Sequence, residues 1–430
     1  MTYGDYEIKN GHLYISGADS VELAKEYSTP LYVMSEDVVR ASCRELKGAL
    51  DKYYESNGLI TYASKALCIK EMCRIIDSEG LGLDAVSGGE LCTAKAASFP
   101  MEKVNYHGNN KTDEEIRMGI SFGVGRFVVD NKEELIRIDK IADELGKVQK
   151  VLLRITPGVD AHTHSFVKTG QIDSKFGSAI QTGAADDITD FALTLENIQI
   201  AGFHCHIGSQ IFEQEPFVEA ARVMLDFIDE TEARTACFFT DLVLGGGFGI
   251  KYTEEDKPLS YDEILRPVLT YVKAHREKVG KKLIHLGFEP GRSIAGPAGT
   301  TLYTVGSVKE IPNIRTYVSV DGGMTDNPRY MLYGSKYTFI IANRADKKKD
   351  NIVTVCGKCC ESGDMLGEGV ELSEVHAGDI LAVTSTGAYN YSMASNYNRI
   401  PRPAMVFVKN GEARLAVRRE TYEEMCERDI

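Results

Sequence analysis

The sequence lacks three features, and each absence excludes a class of protein. No apolar run is long enough to span a bilayer, which argues against a membrane-embedded chain. Basic residues are not in excess, since 49 Lys and Arg stand against 63 Asp and Glu. The resulting net charge of −14 disfavours a polyanionic partner such as nucleic acid. No secretory leader accompanies the ten cysteines, so we expect reduced thiols in a cytoplasmic protein.

The chain does contain an alternation of short apolar runs and segments with helical periodicity. Its 430 residues, 43% of them hydrophobic and 26% charged, suffice for two or three globular domains. The predicted strands are Leu59–Ala63, Leu81–Ala85, Lys103–Tyr106, Arg126–Val129, Val151–Ile155, Ile200–His206, Leu242–Gly245 and Leu283–Glu289. Eight strand–helix alternations are the number in a (β/α)8 TIM-type barrel, to which we assign residues 30–290.

The pattern changes after Pro290, where strands punctuated by Gly, Asn and Asp replace the helical segments. This part of the sequence predicts a C-terminal all-β domain with a sandwich or barrel-like arrangement. Tyr6–Ile15 alternates apolar and polar residues and is expected to add a strand to it. We therefore assign residues 1–29 and 291–430 to the β domain.

The first barrel strand ends in Tyr62-Ala63-Ser64-Lys65-Ala66. Functional residues of such barrels gather at the carboxyl ends of the strands. A partly desolvated lysine there has a lowered pKa and is suited to Schiff-base chemistry. From position alone, a solvent-facing lysine with no chemical role is the favoured interpretation.

The sixth strand ends in His204-Cys205-His206, and strand alternation places the two histidines on one face. One interpretation is a metal pair, reinforced by His162 and His164. The spacing shows no carboxylate or thiol for a third ligand. We therefore favour one packed histidine and one that stacks on a ligand, and we predict no metal.

Two neighbouring strand ends have the composition of an anion site. Gly245-Gly246-Gly247-Phe248-Gly249 lets backbone N–H groups approach a phosphate closely, although it matches neither a P-loop nor a dinucleotide motif. Glu289-Pro290-Gly291-Arg292 adds a carboxylate and a guanidinium, which is suited to bidentate binding. A tight turn and a surface ion pair are the structural alternatives.

The predicted β domain carries a second cluster of candidate residues. It contains Asp321-Gly322-Gly323-Met324, Arg329, Tyr333, Cys359-Cys360-Glu361-Ser362-Gly363-Asp364 and Gly387-Ala388-Tyr389. Cys356 and Cys359 form a CxxC, but no second CxxC or His pair completes a metal site. A thiol followed by a carboxylate is better suited to acid–base work.

Together, the lysine, the stacking histidine, the glycine loop and the glutamate are the parts of a pyridoxal phosphate site on a barrel. The sequence resembles the fold-type III decarboxylases, pyridoxal-phosphate enzymes with an alanine racemase-like barrel. The resemblance covers nearly the whole chain and runs through nine blocks in order. These blocks are Tyr62–Ala66, Val86–Glu90, His204–Gln210, Gly245–Gly249, Glu289–Ile294, Asp321–Arg329, Cys360–Asp364, Tyr389–Asn398 and Pro401–Pro403.

The resemblance implies a role for each matching residue. Lys65 would hold the cofactor as a Schiff base, His206 would stack on its ring, and Glu289 would pair with the protonated ring nitrogen. The full cofactor-binding set would be Lys65, His206, Ser209, Gly247, Glu289, Pro290, Gly291, Arg292 and Tyr389. The substrate contacts would be Arg292, Arg329, Tyr333, Glu361 and Tyr389. Cys360, which directly precedes Glu361-Ser362-Gly363-Asp364, would donate a proton from the second subunit of a homodimer.

The substrate follows from the charges that these residues offer. Arg292 and Arg329 suit a distal carboxylate and Glu361 an ammonium beside it, a combination found in meso-2,6-diaminopimelate. Decarboxylation at its D-centre would yield L-lysine and CO2, the last step of lysine biosynthesis. Decarboxylases for ornithine, lysine or carboxynorspermidine are alternatives. A racemase would prefer arginine where Glu289 stands, and a non-catalytic paralogue would be expected to lose Lys65 or Cys360.

Overall fold

The computed structural model describes residues 4–159 and 174–430, so His162 and His164 lie outside the described residues. Two compact units are present. The barrel unit comprises residues 42–249 and 258–293 where they are described, and the sheet unit comprises residues 4–41, 250–257 and 294–430. The domain limits 30–290 and 1–29 with 291–430 stay a prediction.

The described strands form one parallel sheet, one large mixed sheet and one small sheet. In chain order they are β1 Tyr6–Lys9, β2 His12–Ile15, β3 Ala18–Asp19, β4 Leu31–Ser35, β5 Gly58–Ala63, β6 Gly82–Ala85, β7 Val104–Tyr106, β8 Arg126–Val129, β9 Gln149–Thr156, β10 Ser178–Ala179, β11 Ile198–His204, β12 Asp241–Val243, β13 His285–Phe288, β14 Gly299–Ile311, β15 Arg315–Val320, β16 Phe339–Ile341, β17 Asn351–Cys356, β18 Met365–Leu372, β19 Ile380–Thr384, β20 Ala404–Lys409 and β21 Glu412–Val417.

The described α-helices alternate with the strands in the first two thirds of the chain. They are α1 Ser20–Tyr27, α2 Glu36–Tyr54, α3 Lys70–Ser78, α4 Gly88–Ala96, α5 Asp113–Phe122, α6 Lys132–Glu144, α7 Ala184–Ala192, α8 Glu215–Thr235, α9 Tyr261–Lys278, α10 Arg292–Ala295, α11 Arg329–Tyr333 and α12 Tyr422–Cys426. Among these helices, none combines the length and apolarity needed to cross a membrane.

The barrel unit is built on parallel strands that close on themselves. The order is β5-β6-β7-β8-β9-β11-β12-β13, and the pairing of β13 with β5 completes the ring of eight within the described residues. Val128, Leu152, Ala201 and Val243, from four adjacent strands, form one buried cluster. Parallel strands buried on both faces read as continuous apolar runs, which is why the sequence predicted them well. The TIM-type barrel is confirmed.

Side-chain caps fix where several barrel helices begin. Ser87, Thr112, Asn131 and Ser260 each accept a hydrogen bond from the third backbone N–H of the helix that follows. Each cap lies between the carboxyl end of a strand and the start of a helix. The caps therefore hold the loops at the rim of the barrel where functional side chains gather.

The sheet unit contains a mixed sheet in the order β18-β17-β15-β14-β4-β20-β21, with β19 on β14 and β16 on β19. Tyr6–Ile15 lies in the sheet unit but does not join this mixed sheet, and it forms two strands, β1 and β2, where one was expected. Asn10 and Gly11 take positive φ values of 51° and 82°, so β1 turns directly into β2. The segment instead forms a separate small sheet with β3. The all-β prediction for the C-terminal region is confirmed.

Candidate active site

The candidate residues of the barrel unit gather at one rim. Lys65 follows β5, Glu289 follows β13, and Gly245 lies just beyond β12. All of these positions are carboxyl ends of parallel strands, which meet at the same end of a barrel. The fold therefore brings together segments that are up to about 220 residues apart in the sequence.

Lys65 lies in a single turn of 3-10 helix, Ser64–Ala66, whose flanking residues are buried while the lysine itself is exposed. Glu90 anchors this turn, because one carboxylate oxygen accepts hydrogen bonds from Ser64 Oγ at 2.9 Å and from Val86 N at 2.7 Å. The main chain of Lys65 is thus fixed, whereas its amine is accessible to a reagent.

Glu289 is buried against two histidines. His204 Nε2 donates to Glu289 Oε2 at 2.8 Å. His107 Nε2 lies 3.2 Å from Glu289 Oε1 but out of line for a hydrogen bond, so Oε1 has no hydrogen-bond partner among the described residues. His107 also lies 3.6 Å from Asp84 Oδ1. A buried carboxylate with one open oxygen is suited to accept a hydrogen bond from a cationic ring nitrogen.

The charges in this cluster differ from group to group. Burial lowers the pKa of His107, but the carboxylates of Glu289 and Asp84 outweigh it and raise the pKa to about 9. Burial dominates at His204 and lowers its pKa to about 4. Burial would raise the pKa of Glu289, yet His204 and His107 hold it well below its usual range. At neutral pH the cluster therefore contains an ionised Glu289, a charged His107 and a neutral His204.

The two histidines of the predicted pair occupy different environments. β11 ends at His204, because its partner β12 ends at Val243 and the last ladder bond is Cys205 N to Val243 O at 2.8 Å. His206 lies beyond the strand, so the prediction that both histidines share one strand face was wrong. Half-buried His206 accepts from Gly246 N at 3.3 Å, and burial with the charge of Lys65 lowers its pKa well below the usual range.

The fold gathers a group of possible metal ligands that differs from the predicted pair, since it includes His204 but not His206. His107, His204 and Glu289 bring three ligand atoms within 4.8 Å of one another. However, His204 Nε2 and Glu289 Oε2 point at each other in a hydrogen bond rather than at a common centre. The prediction of no metal stays a prediction, and the proposed ligands His162 and His164 lie outside the described residues.

The glycine loop forms a close-packed cradle. A Cβ at Gly246 would lie 2.1 Å from Glu289 O, and one at Gly247, where φ is +99°, would lie 2.1 Å from Gly208 O. Gly291 likewise leaves no room for a Cβ, which would meet Ala63 O at 2.8 Å. Only glycine fits these positions, and bare backbone N–H groups are what a phosphate requires.

Arg292 completes this side of the barrel rim. It begins α10, is buried, and donates from Nε and Nη2 to Ser209 Oγ at 3.2 and 3.1 Å. Ser209, Gly247 and the pair Gly291-Arg292 thus lie in the three consecutive loops that follow β11, β12 and β13. A cationic cradle beside a buried carboxylate with an open oxygen fits both ends of pyridoxal phosphate, its phosphate and its ring nitrogen.

In the sheet unit, Arg329 lies among aromatic rings. It begins α11, is 8% exposed, and its guanidinium carbon lies 5.0 Å from the Tyr333 ring centroid and 5.3 Å from that of Tyr389. Tyr389 has a φ of +71°, a strained conformation for a residue with a side chain. Arg329 Nε has no hydrogen-bond partner among the described residues, so the guanidinium retains capacity for an anion.

Asp364 anchors the loop that carries Cys359 and Cys360. Its carboxylate accepts from Cys359 N at 2.7 Å and from Met324 N at 2.6 Å. Gly323 and Gly357 pack on this carboxylate so closely that a Cβ would lie 2.5 and 2.3 Å from its oxygens. The loops around Met324 and Cys359 are therefore joined through one buried side chain.

The two adjacent thiols differ in acidity and access. Burial, with the nearby Asp364, raises the pKa of half-buried Cys359 to about 12. Cys360 is exposed, and its backbone N–H donates to Asn398 Oδ1 at 2.8 Å. Glu361 beside it is also exposed. Of the two thiols, Cys360 is the one that a reacting group can approach.

Comparison with known proteins identifies the family. Residues 36–296 match the family model described as "Pyridoxal-dependent decarboxylase, pyridoxal binding domain". The diaminopimelate decarboxylase of Bacillus subtilis (strain 168) is 49% identical over 425 residues, which cover 98% of this chain and 96% of that protein. The chain belongs to the diaminopimelate decarboxylase family.

Solved structures share the fold of this decarboxylase. The crystal structure of diaminopimelate decarboxylase from M. jannaschii in co-complex with L-lysine has a TM-score of 0.93 at 36% identity, covering 99% of this chain and 97% of that one. Lysine/ornithine decarboxylase from Vibrio vulnificus, complexed with putrescine, has a TM-score of 0.77 at 25% identity, covering 91% and 97%. The predicted fold class and the cofactor, pyridoxal 5'-phosphate, are confirmed.

Sequence reasoning missed several residues of this decarboxylase that the fold brings to the site. Asp84 lies within the predicted second strand, His107 directly follows the third, and Arg154 lies within the fifth. The same rule that selected Lys65 applies to them, since each is polar and at or near a carboxyl strand end. Asp364 and Asn398 belong to motifs of the sequence but gave no signal for their role, which is to accept hydrogen bonds from the backbone N–H groups of Met324 and Cys360 in other loops.

Proposed function

We propose that this decarboxylase releases CO2 from the D-centre of meso-2,6-diaminopimelate and forms L-lysine, using pyridoxal 5'-phosphate. The observation that carries the proposal is the ionised, buried Glu289 with its open oxygen at the rim that also bears Lys65. Residues 30–290 would hold the cofactor, and residues 1–29 with 291–430 would supply the substrate contacts and the proton donor. The activity accounts for the similarity to diaminopimelate decarboxylases over nearly the whole chain.

Pyridoxal phosphate, when bound, supplies an electron sink for the pair left on Cα as CO2 departs. The exposed amine of Lys65 would hold its aldehyde carbon covalently and later release the product amine. Ser209, Gly247, Gly291 and Arg292 would bind the phosphate, with Pro290 and Tyr389 completing the set. The neutral imidazole of His206 would stack on the ring.

Glu289 would set the electronic character of the ring. Its low pKa favours a proton on the ring nitrogen, where the positive charge draws electrons from Cα. An arginine at this position, as a racemase prefers, would leave the nitrogen unprotonated. Glu289 therefore supports decarboxylation over racemisation as the reaction of this site.

The substrate would be recognised through both of its distal charges. Arg329, buried with an unpartnered Nε, would bind the distal carboxylate beside Tyr333 and Tyr389. Arg292 is proposed as a second carboxylate contact, and exposed Glu361 would bind the distal ammonium. Ornithine has no distal carboxylate, so it would leave Arg329 buried and unpaired, which is costly.

Cys360 is proposed as the proton donor to Cα, since it is the accessible thiol of the pair.

We further propose a cytoplasmic homodimer with shared active sites, in which Cys360 of each chain serves the Lys65 of the other. The free cysteines of the described residues fit a reducing compartment. Mixing Lys65→Ala with Cys360→Ala protein would restore part of the activity if sites are shared, whereas sites within one chain would remain inactive.

The deciding experiment measures CO2 release and L-lysine formation from meso-diaminopimelate by cofactor-loaded protein. L-ornithine is the matched control, because it shares the amines and lacks the distal carboxylate. Faster turnover of ornithine would contradict the assignment of the substrate, whereas the assignment of the reaction as a decarboxylation would stand. If the protein binds the cofactor at Lys65 but releases no CO2 from either substrate, the proposed decarboxylase activity is contradicted. Failure to bind the cofactor would favour a non-catalytic paralogue.

A further inference from the structure

His107 makes an unusual set of contacts for a buried histidine. The residue directly follows β7 and is 7% exposed. Nε2 lies 3.2 Å from a carboxylate oxygen of Glu289 and 3.6 Å from one of Asp84. The ring also contacts His204 edge to face, with centroids 5.0 Å apart. An imidazole between two buried carboxylates is suited to carry a positive charge.

The two imidazoles beside Glu289 act on it differently. His204 donates one hydrogen bond to Oε2, and its Nδ1 has no hydrogen-bond partner among the described residues. An imidazole protonated only on Nε2 satisfies both observations. Its Nδ1 is then an acceptor without a donor, which costs less than a buried N–H without an acceptor. His204 therefore contributes a dipole to Glu289, and His107 is left to contribute the charge.

We propose that His107 is a positioning residue which, held as an imidazolium between Asp84 and Glu289, keeps Glu289 ionised and so keeps the shared proton on the ring nitrogen of the cofactor. The proposal rests on the proposed function in one respect, the pairing of Glu289 with that nitrogen. Metal binding, substrate contact and proton transfer to Cα play no part in the role assigned to His107.

Glu289 and the ring nitrogen are two bases that would share one proton. A proton between a carboxylate and a pyridine nitrogen lies on the stronger base. Burial alone would raise the pKa of Glu289 and draw the proton toward the carboxylate, where the ring would lose its charge. The adjacent imidazolium opposes this effect, and one unit of pKa corresponds to about a tenfold shift in the proton equilibrium.

The charge of His107 depends on all the ionisable groups near it. Asp84 and Glu289 make the close contacts and raise its pKa to about 9, against the effect of burial. Besides Asp84, His204 and Glu289, the charged or titratable groups of the described residues that act on this cluster include Lys65, Glu90, Arg154, Cys205 and His206. Because the pKa is raised, His107 is charged at neutral pH, and its support for Glu289 is lost as pH rises through about 9.

The test compares His107→Asn with His275→Asn in enzyme loaded with pyridoxal phosphate labelled with 15N in the ring. His275 is the matched control, since it also pairs with a carboxylate, Asp229, at 2.7 Å but on α9. We expect the 15N shift of His107→Asn to move toward that of unprotonated pyridine, with kcat lower by about tenfold and KM little changed. His275→Asn should match the wild type. An unchanged 15N shift in folded His107→Asn protein would overturn the proposal.

A second measurement needs no substitution. In the wild type the 15N signal should move in the same direction as pH rises from 7 to 10, while circular dichroism shows an intact fold. A constant signal over this range would overturn the proposal even if His107→Asn fails to fold. The variant Glu289→Gln distinguishes the pairing of Glu289 with the ring nitrogen from the role of His107. If it leaves the ring protonated, the pairing of Glu289 fails; if it moves the signal and His107→Asn does not, only the role of His107 fails.

Discussion

The residues proposed to hold the cofactor and those proposed to meet the substrate differ in how the chain supports them. In the barrel unit, Glu289 and Arg292 are less than a tenth exposed and are held by side chains from other strands. In the sheet unit, Cys360 and Glu361 are exposed and are held through the backbone of their loop. Glu289 and Arg292 thus belong to a core and Cys360 and Glu361 remain accessible, whereas exposed Lys65 and buried Arg329 depart from this division.

The contrast also concerns electrostatics. Burial is the leading influence on the pKa of Glu289, His107 and His204; neighbouring charges reverse its effect at Glu289 and His107 but not at His204. Such a cluster has its charges set before any ligand arrives, which is the condition for electrostatic preorganisation. Exposed Cys360 and Glu361 lack this environment. In the proposed function the two residues would act with water excluded by a second copy of the chain.

The largest effect should come from the one exposed residue of the cofactor set. Lys65→Ala removes the amine that holds the aldehyde carbon, so we expect turnover below detection and no absorbance of lysine-bound cofactor. The midpoint of thermal unfolding should stay unchanged, because the side chain is exposed. Exposed Lys70→Ala is the control and should retain activity. Normal turnover by Lys65→Ala would contradict the proposal that Lys65 holds the cofactor covalently.

The next largest loss of activity is expected from a substitution in the exposed loop of the sheet unit. Cys360→Ala should lower kcat by about 10²–10⁴-fold, the contribution typical of a general acid. Cys359→Ala should lower it far less, because that thiol is half-buried and has a pKa raised to about 12. Steady-state kinetics with meso-diaminopimelate measure both. The reverse ranking would show that the proton donor is Cys359 and that the residue was assigned one position too far along.

A third change tests whether the barrel cradle depends on close packing. Gly247→Ala places a Cβ 2.1 Å from Gly208 O, so the affinity for pyridoxal phosphate should fall by about tenfold to a hundredfold. Gly280→Ala is the matched control, since its φ is also positive, at +68°, but nothing lies within 4 Å. Titration of apo-protein followed by absorbance measures the affinity. Equal losses in both variants would mean that backbone conformation, and not the cradle, is responsible.

The smallest effect is expected at the surface of the sheet unit. Glu361→Gln should raise KM for meso-diaminopimelate by about tenfold through a lost charged hydrogen bond. The free energy of unfolding should change by less than about 0.5 kcal/mol, because the side chain is exposed. Denaturant unfolding and kinetics on the same preparation measure the two quantities. A large loss of stability with an unchanged KM would place Glu361 in the structure rather than at the substrate.

The barrel was predictable because its strands are short apolar runs buried on both faces. The predicted strand Arg126–Val129 has the same bounds as β8, and Leu59–Ala63 differs from β5 by one residue. Strand ends were less certain, as at His206, because the length of β11 depends on its partner β12. The strand Leu31–Ser35 was not predicted at all. It lies in the mixed sheet between β14 and β20, and no local signal shows such distant partners.

The candidate site was predictable where one residue carries its own chemistry and less so where neighbours create it. Lys65, Glu289 and the glycine loop could be selected from strand ends and composition. Asp84 and His107 acquire significance only beside Glu289, at sequence distances of about 200 residues that no spacing rule reaches. The sequence therefore indicated which groups react but not which groups set their charge.

The contact between Asp364 and two glycines also limits how this sequence can change over time. A side chain at either position 323 or 357 would overlap the carboxylate, and a shorter residue at 364 would leave the backbone N–H groups of Met324 and Cys359 without an acceptor. Each single substitution is therefore penalised while the other two residues remain. A side chain at position 323 or 357 therefore requires a compensating change at position 364, so we expect the three positions to vary together across related sequences.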